Sequence, residues 1–466
     1  MPRRKIREHD AKKMLAKNLH SYGYPLALDV SLVDEKTDMD KLAKEKPWLK
    51  TKKLVVKPDQ LIGKKGKNNL ILLKAGFDEA KKFIKENMGK TIDVSGVKGA
   101  LTHFIIEPFV EHDNEYFLAI LSQREQDMIL FSEKGGVDVE DHWDDVIQIP
   151  IPIDANREKI DIGNKLKGIS GEQKEKLVLF VRALYNYYVD FGCTYLEMNP
   201  LTFDKNDEIV PLGLVCEVDD CEHFKCESKW NGLEFPQPFG RKMYPEEKFV
   251  MELDDKTGAS LKLTILNPDG KIWILVAGGG ASVIYADTVV DLGYGKELGN
   301  YGEYSGDPNE EETYQYAKTV IDLATRNPTQ LSQDDNVQLT TEKVVNAHYF
   351  PQKIIVPIVR KHPNNREHET GNRILLIGGG VANFTNVANT FKGIIRALRE
   401  AKEKLHKNKM QIYVRRGGPN FEEGLNMMKK LGNEIEIPIE VYGPEANMTK
   451  IVDLAIKKLN GGTNAK

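Results

Sequence analysis

The sequence predicts an α/β protein of two domains, and three observations carry that reading. Past the middle of the chain, strands ending in glycine alternate with helices: "KIWILVAGGGAS", "RILLIGGGVANF", "QIYVRRGGPNFEEG" and finally "IPIEVYG". Strand, glycine turn and helix in repetition are the texture of a parallel sheet with helices on both faces. The earlier part instead mixes helical patterns with short strands and Lys-rich loops. Between them "FPQPFGRKMYPEE" (Phe235 to Glu247), rich in Pro and Gly, reads as a linker. The predicted domains are therefore residues 1–244 and 245–466.

Taken in order, "DAKKMLAKNLHSYGYPLA" places Met14, Leu15 and Leu19 on one helical face, stopped by Gly23 and Pro25. "KKLVVKPD" (Lys52 to Asp59), "HFIIEPFV" (His103 to Val110) and "YFLAILSQ" (Tyr116 to Gln123) read as strands. "GEQKEKLVLFVRALYNYYVDFG" repeats apolar residues at three- and four-residue steps, which predicts a helix from Gly171 that Gly192 stops. In the second half, the polar segment from Asn327 to Gly371 reads as a surface insertion with a short β-like run at Ile354 to Val359.

Composition narrows the function classes. The 466 residues are 40% hydrophobic and 29% charged, as in soluble globular proteins. A net charge of -4 gives no broad pull toward nucleic acid or anionic membrane. The basic N-terminus lacks a signal-peptide core, and no apolar stretch has membrane-spanning length. Four cysteines in so long a chain fit a reducing compartment, so the expected location is cytoplasmic. Cys216, Cys221 and Cys226, with His223 among them, lack a fourth ligand at a metal-site interval and predict no metal.

The glycine turns are the first chemical signal. A helix N-terminus leaves amides unpaired and carries partial positive charge, and glycine lets a ligand approach the backbone. The sequence offers this at Gly278–Gly280 and again at Gly378–Gly380, while Arg415 and Arg416 precede a third turn at Gly417 and Gly418. Two such turns plus arginine suit a small molecule with several carboxylates. The plainer alternative is that Asn383 or Thr385 merely caps the helix in "FTNVANTFKGIIRALREAKEKL". A dinucleotide is disfavoured, since neither "AGGGAS" nor "IGGGVA" has the spaced GxGxxG pattern.

The first half lacks both the P-loop and the kinase loop set. It offers Lys57 at a strand end, then "LIGKKGKNN", a Gly/Lys loop that is either a lid over phosphates or a solvated basic loop. "EPFVEHDNEYF" adds Glu107 and Glu115, suited to an adenine amino group and a ribose hydroxyl. "YLEMNPL" points Glu197 and Asn199 the same way from one strand, and an acid beside an amide suits Mg²⁺ on phosphates.

These residues carry a resemblance. "VVKPDQL", "IEPFV", "GGVDV" and "LEMNPL" resemble the ATP-grasp subunit of the succinyl-CoA synthetase superfamily. "EFPQPFGR", "GASLKLTILNP", "VAGGGASV", "NYGEYSG", "GGGVANFTNVANTFKGI" and "VRRGGPN" narrow it to the ATP-citrate lyase family, nearly end to end. The large subunit of citryl-CoA synthetase shares these motifs, and the succinyl-CoA synthetase beta subunit is a further relative. The resemblance implies an ATP-grasp domain followed by a flavodoxin/Rossmann-like parallel-sheet domain that binds citrate. It implies that Lys57, Lys64, Lys65 and Gly66 hold ATP phosphates, Lys57 and Lys65 acting in catalysis. Glu107, Pro108, Phe109 and Val110 would lie at the adenine, Glu115 at the ribose, and Asn199 at Mg²⁺. Gly279, Gly280, Gly306, Asn383, Phe384, Thr385 and Arg416 would contact citrate.

One departure stands out. Where the family has an aspartate as second Mg²⁺ ligand, this sequence has Gly213, with Glu217 four residues on as a substitute. The family reaction also runs through a phosphohistidine on a glycine-rich turn, and none of the ten histidines here sits on one. The implied partner is a second subunit with that histidine, the CoA-binding domain and a citrate-synthase-like module. The implied cofactors are ATP, Mg²⁺ and CoA, the last bound mainly by the partner. From a different class, a citrate-binding regulatory or scaffold subunit with impaired ATP chemistry fits the same residues.

Overall fold

The computed structural model describes residues 3–62, 70–94, 96–136, 139–157, 160, 162–166, 169, 171–241, 243–326 and 372–459. The chain divides into two compact units, Met1–Lys242 and Met243–Lys466.

Unit one is built on antiparallel sheets. Its larger sheet runs in the order Arg3–Lys5, Leu214–Asp219, Cys193–Phe203, Tyr116–Ser122, Gln126–Ser132, Ile147–Pro152, with Ile209–Pro211 paired to Cys193–Phe203. The helix Gly171–Asp190 covers one face, packing Phe180, Val181 and Leu184 into the same core as Leu118, Ile120, Ile129 and Phe131. Apolar residues at helical spacing on one element and at alternate strand positions on the other make that contact.

A smaller sheet, Ser31–Asp34, His103–Pro108, Leu54–Pro58, Leu72–Ala75, is covered by Phe77–Asn87 through Ala80 and Ile84. The N-terminal helix Glu8–Asn18 is pinned by Asp59, whose carboxylate accepts from the amides of Glu8 at 2.9 Å and His9 at 3.1 Å. Those amides have no partner inside the helix, so an acceptor at that end stabilises it. The Pro/Gly stretch after Phe235 is not a free tether at its centre. Gly240 (φ +81°) lies so close to Gly99 that a Cβ on the latter would come within 2.8 Å of the Gly240 Cα.

Unit two is a six-stranded sheet in the order Ser260–Ile265, Asn300–Ser305, Ile272–Ala277, Ile374–Gly379, Gln411–Arg415, Ile439–Tyr442. Every neighbouring pair is parallel except the first. Helices Glu310–Thr325, Val387–Glu400 and Phe421–Ile435 bury Val320, Phe391 and Met428 on one face. Gly279–Asp291 and Lys450–Leu459 bury Tyr285, Val289 and Ile451 on the other. Strands Ile272–Ala277 and Ile374–Gly379 are fully buried along their length, as a sheet covered on both sides requires.

From Ile272–Ala277 the chain first steps to one side, to Asn300–Ser305, and later to the other, to Ile374–Gly379. That reversal opens a crevice beyond the carboxyl ends of the central strands, where open α/β sheets take their ligands. The expected insertion at 327–371, with its β-like run, lies outside the described residues.

Candidate functional site

The crevice in unit two holds a cavity of about 310 Å³, in the range of small-molecule sites. Its wall comes from three strand ends. Ala277, Gly278, Gly280 and Ala281 follow the first central strand; Tyr304, Ser305, Gly306 and Pro308 follow the second; Gly380, Val381, Ala382, Phe384 and Thr385 follow the third, and Arg416 closes it. No carboxylate is among these lining residues, while backbone amides, hydroxyls and one guanidinium are. Such a wall favours an anion.

Local geometry explains the glycines. Gly278 sits at φ +92° as it turns the strand into the helix Gly279–Asp291, and Gly306 sits at φ +75°. Both lie in the left-handed region that glycine enters without strain. The first amides of a helix have no partner within it and carry the positive end of its dipole, and the first turn of Gly279–Asp291 lines the cavity through Gly280 and Ala281.

Arg416 is 5% exposed and gives one N–H to the Gly380 carbonyl at 3.0 Å, while its Nε has no partner. Burial pulls its pKa below the ordinary guanidinium value, though an arginine stays charged at neutral pH. The Tyr304 hydroxyl and one oxygen of Glu303 are likewise buried without partners. Burial raises the pKa of both. Buried polar atoms without partners are uncommon and costly, and two of these, on Tyr304 and Arg416, belong to residues that line the cavity, which points to a ligand. Arg415 is different: its three nitrogens bond the carbonyls of Ala446, Gly379 and Pro444, so it holds the turns together.

Of the residues singled out from sequence, Gly280, Gly306, Phe384, Thr385 and Arg416 line the cavity. Gly279 and Asn383 are not among its lining residues. Gly279 instead lies over the Glu303 carboxylate, where a Cβ would collide with it. The capping alternative is corrected: Asn386, and neither Asn383 nor Thr385, caps the helix Val387–Glu400, accepting from the Asn389 amide at 3.1 Å. That leaves Thr385 free to face the crevice. Sequence reasoning missed Tyr304 and Ser305, although "NYGEYSG" carries the family resemblance; in that stretch only Gly306 reads as a ligand contact.

In unit one, Lys57 is 6% exposed and its ammonium is saturated. It meets Glu8 Oε1 at 2.6 Å, the Leu212 carbonyl at 2.6 Å and Glu107 Oε2 at 2.9 Å. Lys12 completes the cluster, reaching Glu107 Oε1 at 2.5 Å, the Leu212 carbonyl at 3.0 Å and Glu8 Oε1 at 3.1 Å. Burial alone would lower the pKa of Lys57, but the Glu107 and Glu8 carboxylates outweigh it and raise it. Each Glu107 oxygen is held by a lysine, so any contact of that carboxylate with an adenine amino group would be made beside these ion pairs. Pro108, Phe109 and Val110 are half-buried, Lys74 lying over the Phe109 ring at 4.7 Å. Glu115 meets His112 Nε2 at 3.1 Å. Lys64, Lys65 and Gly66 lie outside the described residues.

The side chains expected at the metal are engaged with other groups. Asn199 Oδ1 accepts from the Gly136 amide at 2.7 Å, and Glu197 is engaged by the Tyr195 hydroxyl. Gly213 packs onto the Asn199 peptide, where a Cβ would sit 3.0 Å from the carbonyl carbon and nearer still to its oxygen. Glu217 pairs with Lys5 at 3.3 Å and lies about 13 Å along the strand from Gly213, at about 3.3 Å rise per residue. Among the described residues no cluster of three or more acids, histidines or cysteines is arranged for a metal. A Mg²⁺ carried on phosphates takes one or two protein carboxylates; Glu197 would supply one beside the Asn199 amide, both side chains being engaged with other groups here. No helix among the described residues is long and apolar enough to cross a membrane.

Comparison with known proteins bears on both units. Residues 2–230 match the model of the ATP-citrate synthase ATP-grasp domain. Residues 241–338 and 346–458 match that of the ATP citrate lyase citrate-binding domain. The ATP-citrate synthase alpha chain protein 2 of Oryza sativa subsp. japonica is 45% identical over 458 residues, covering 98% of this chain and 99% of the relative. The ATP-citrate synthase of Bos taurus is 44% identical over 423 residues, 90% of this chain but 35% of that longer protein. Among solved structures, ATP citrate lyase from Methanothrix soehngenii in complex with citrate and coenzyme A superposes with a TM-score of 0.83 at 45% identity. That match covers 98% of this chain and 100% of the other.

Proposed function

Because this chain belongs to the ATP-citrate synthase (ATP citrate lyase) family, matched across both its ATP-grasp and its citrate-binding parts, we propose that its crevice in unit two is the citrate site. One observation carries the reading: the cavity wall presents amides, hydroxyls and the buried Arg416, and no acid. Two citrate carboxylates are read by the turns at Gly278–Gly280 and Gly380–Thr385, and a third by Arg416 in two-pronged fashion. Gly279 acts by keeping space over Glu303, and Asn383 by shaping the turn that carries Phe384 and Thr385.

The whole reaction joins citrate, ATP and CoA into acetyl-CoA, oxaloacetate, ADP and phosphate. ATP passes its γ-phosphoryl to a histidine of a partner subunit, and a citrate carboxylate oxygen attacks that phosphorus to give citryl phosphate. The thiol sulfur of CoA attacks the acyl carbon and expels phosphate. Citryl-CoA then breaks a C–C bond to yield the two products on the partner. The work of this chain is positioning and charge neutralisation. Pro108 to Val110 bound the adenine, Glu115 and His112 border the ribose, and Lys57 with Lys64, Lys65 and Gly66 faces the phosphates. Asn199 remains the proposed Mg²⁺ ligand, with Glu197 two residues before it on the same strand; to take the metal each would exchange its present partner, the Gly136 amide and the Tyr195 hydroxyl.

Support for a separate partner comes from the Bos taurus relative, of which this chain spans 35%. Co-purification with that partner, followed by an oxaloacetate assay, tests the proposal. Product is expected only with citrate, CoA and ATP together, and formation without citrate or ATP refutes it. A citrate-binding regulatory subunit is favoured by one observation, the saturated ammonium of Lys57. Absence of any ATP binding heat with the isolated chain selects that reading.

A further inference from the structure

The buried cluster around Lys57 sets a condition on nucleotide binding. An ammonium has three donors, and those of Lys57 are directed at Glu8, Glu107 and the Leu212 carbonyl. A phosphate oxygen cannot join without one of the three leaving. The Leu212 carbonyl is backbone, fixed where Leu212 and Gly213 bond back to Pro200. Glu107 belongs to the central strand His103–Pro108 and is held a second time by Lys12. Glu107 meets Lys57 and Lys12 through different oxygens. The very Oε1 by which Glu8 meets Lys57, by contrast, already lies 3.1 Å from Lys12 and 3.3 Å from the Leu214 amide, so that oxygen can leave Lys57 and keep partners. The cluster holds two carboxylates and two ammonium groups, so an incoming phosphate meets a lysine whose charge is already balanced. The raised pKa of Lys57 agrees with a tightly held internal ion pair.

We propose that Glu8 competes with the phosphates of ATP for Lys57, and that nucleotide binding transfers the Glu8 carboxylate to Lys12 and the Leu214 amide. Resting on the assignment of Lys57 to the phosphates, this makes Glu8 a determinant of ATP affinity. Asp59, which pins the helix bearing Glu8 and Lys12 to the strand bearing Lys57, keeps the competitor within reach.

The test is calorimetric titration of ATP into the full chain as wild type, Glu8→Gln and Lys57→Met. Glutamine keeps the shape of Glu8 and removes its charge. Competition predicts that Glu8→Gln tightens the ATP Kd by about tenfold, the ratio that one charge-assisted bond corresponds to. Lys57→Met should weaken binding. An unchanged or weaker Kd for Glu8→Gln, with Lys57→Met impaired, overturns the competition alone. An unchanged Kd for Lys57→Met overturns the assignment of Lys57 itself, and the competition with it. If Glu8→Gln is recovered unfolded, the charge-balanced pair Glu8→Gln with Lys12→Met carries the same comparison.

Discussion

Replacing Arg416 by lysine and by alanine measures how much of the cavity's affinity comes from a planar fork and how much from charge. One N–H of Arg416 bonds the Gly380 carbonyl and Nε has no partner, at 5% exposure. A carboxylate arriving there accepts two parallel bonds, each worth about 1.5–3 kcal/mol because both partners are charged. Lysine keeps the charge on a single point and loses one of the two. The expected cost is about 1.5–3 kcal/mol, a rise in the citrate Kd of about 10- to 150-fold. Alanine loses both bonds and should leave citrate binding below detection at millimolar concentration. Calorimetric titration of citrate reads the Kd, and a thermal melt on the same samples shows whether each variant is folded. A citrate Kd unchanged in both variants, with native melting, refutes the assignment of Arg416 and the anion logic of the cavity.

Other expectations follow from the same contacts. Thr385→Val should raise the citrate Kd about fivefold, one neutral hydrogen bond, with the melting midpoint unchanged. Asn386→Ala should do the reverse, lowering stability by about 1 kcal/mol through loss of the cap, as read by urea unfolding. Asp59→Ala removes the acceptor of the Glu8 and His9 amides and should cost about 1–2 kcal/mol in the same assay. Glu303 has its pKa raised in the fold by burial, so its stabilising contribution is full below the ordinary glutamate value, about 4.3. It is lost as pH rises through the folded value. Glu303→Gln should therefore flatten the fall in unfolding free energy between acid and neutral pH; an identical pH profile for both proteins contradicts this.

Much of this was legible in the residues because backbone needs are local. The parallel sheet of unit two announced itself through strands ending in glycine, since a turn at φ +92° admits little else. The helix Gly171–Asp190 was visible in its three- and four-residue apolar spacing. What escaped were contacts between distant segments. Lys57 carried its own signal, but Glu8 and Lys12 lie 49 and 45 residues before it in an ordinary-looking helix. Tyr304 reads as one more aromatic strand residue until its hydroxyl is found buried without a partner. The capping alternative fell one to three positions short of Asn386 on Val387–Glu400, because Asn383, Thr385 and Asn386 are all competent and only the path of the turn chooses.

A wall of peptide groups has an evolutionary side. The turns that face the crevice at Gly278 and Gly280 present main chain alone, so point mutation has no side chain there to exchange for another preference. Preference for one acid over another drifts through the lining positions that do carry side chains, among them Tyr304, Ser305, Val381, Phe384, Thr385 and Arg416. Anion affinity is in that sense a property of the architecture, and the choice of acid is a decision left to the side chains around it.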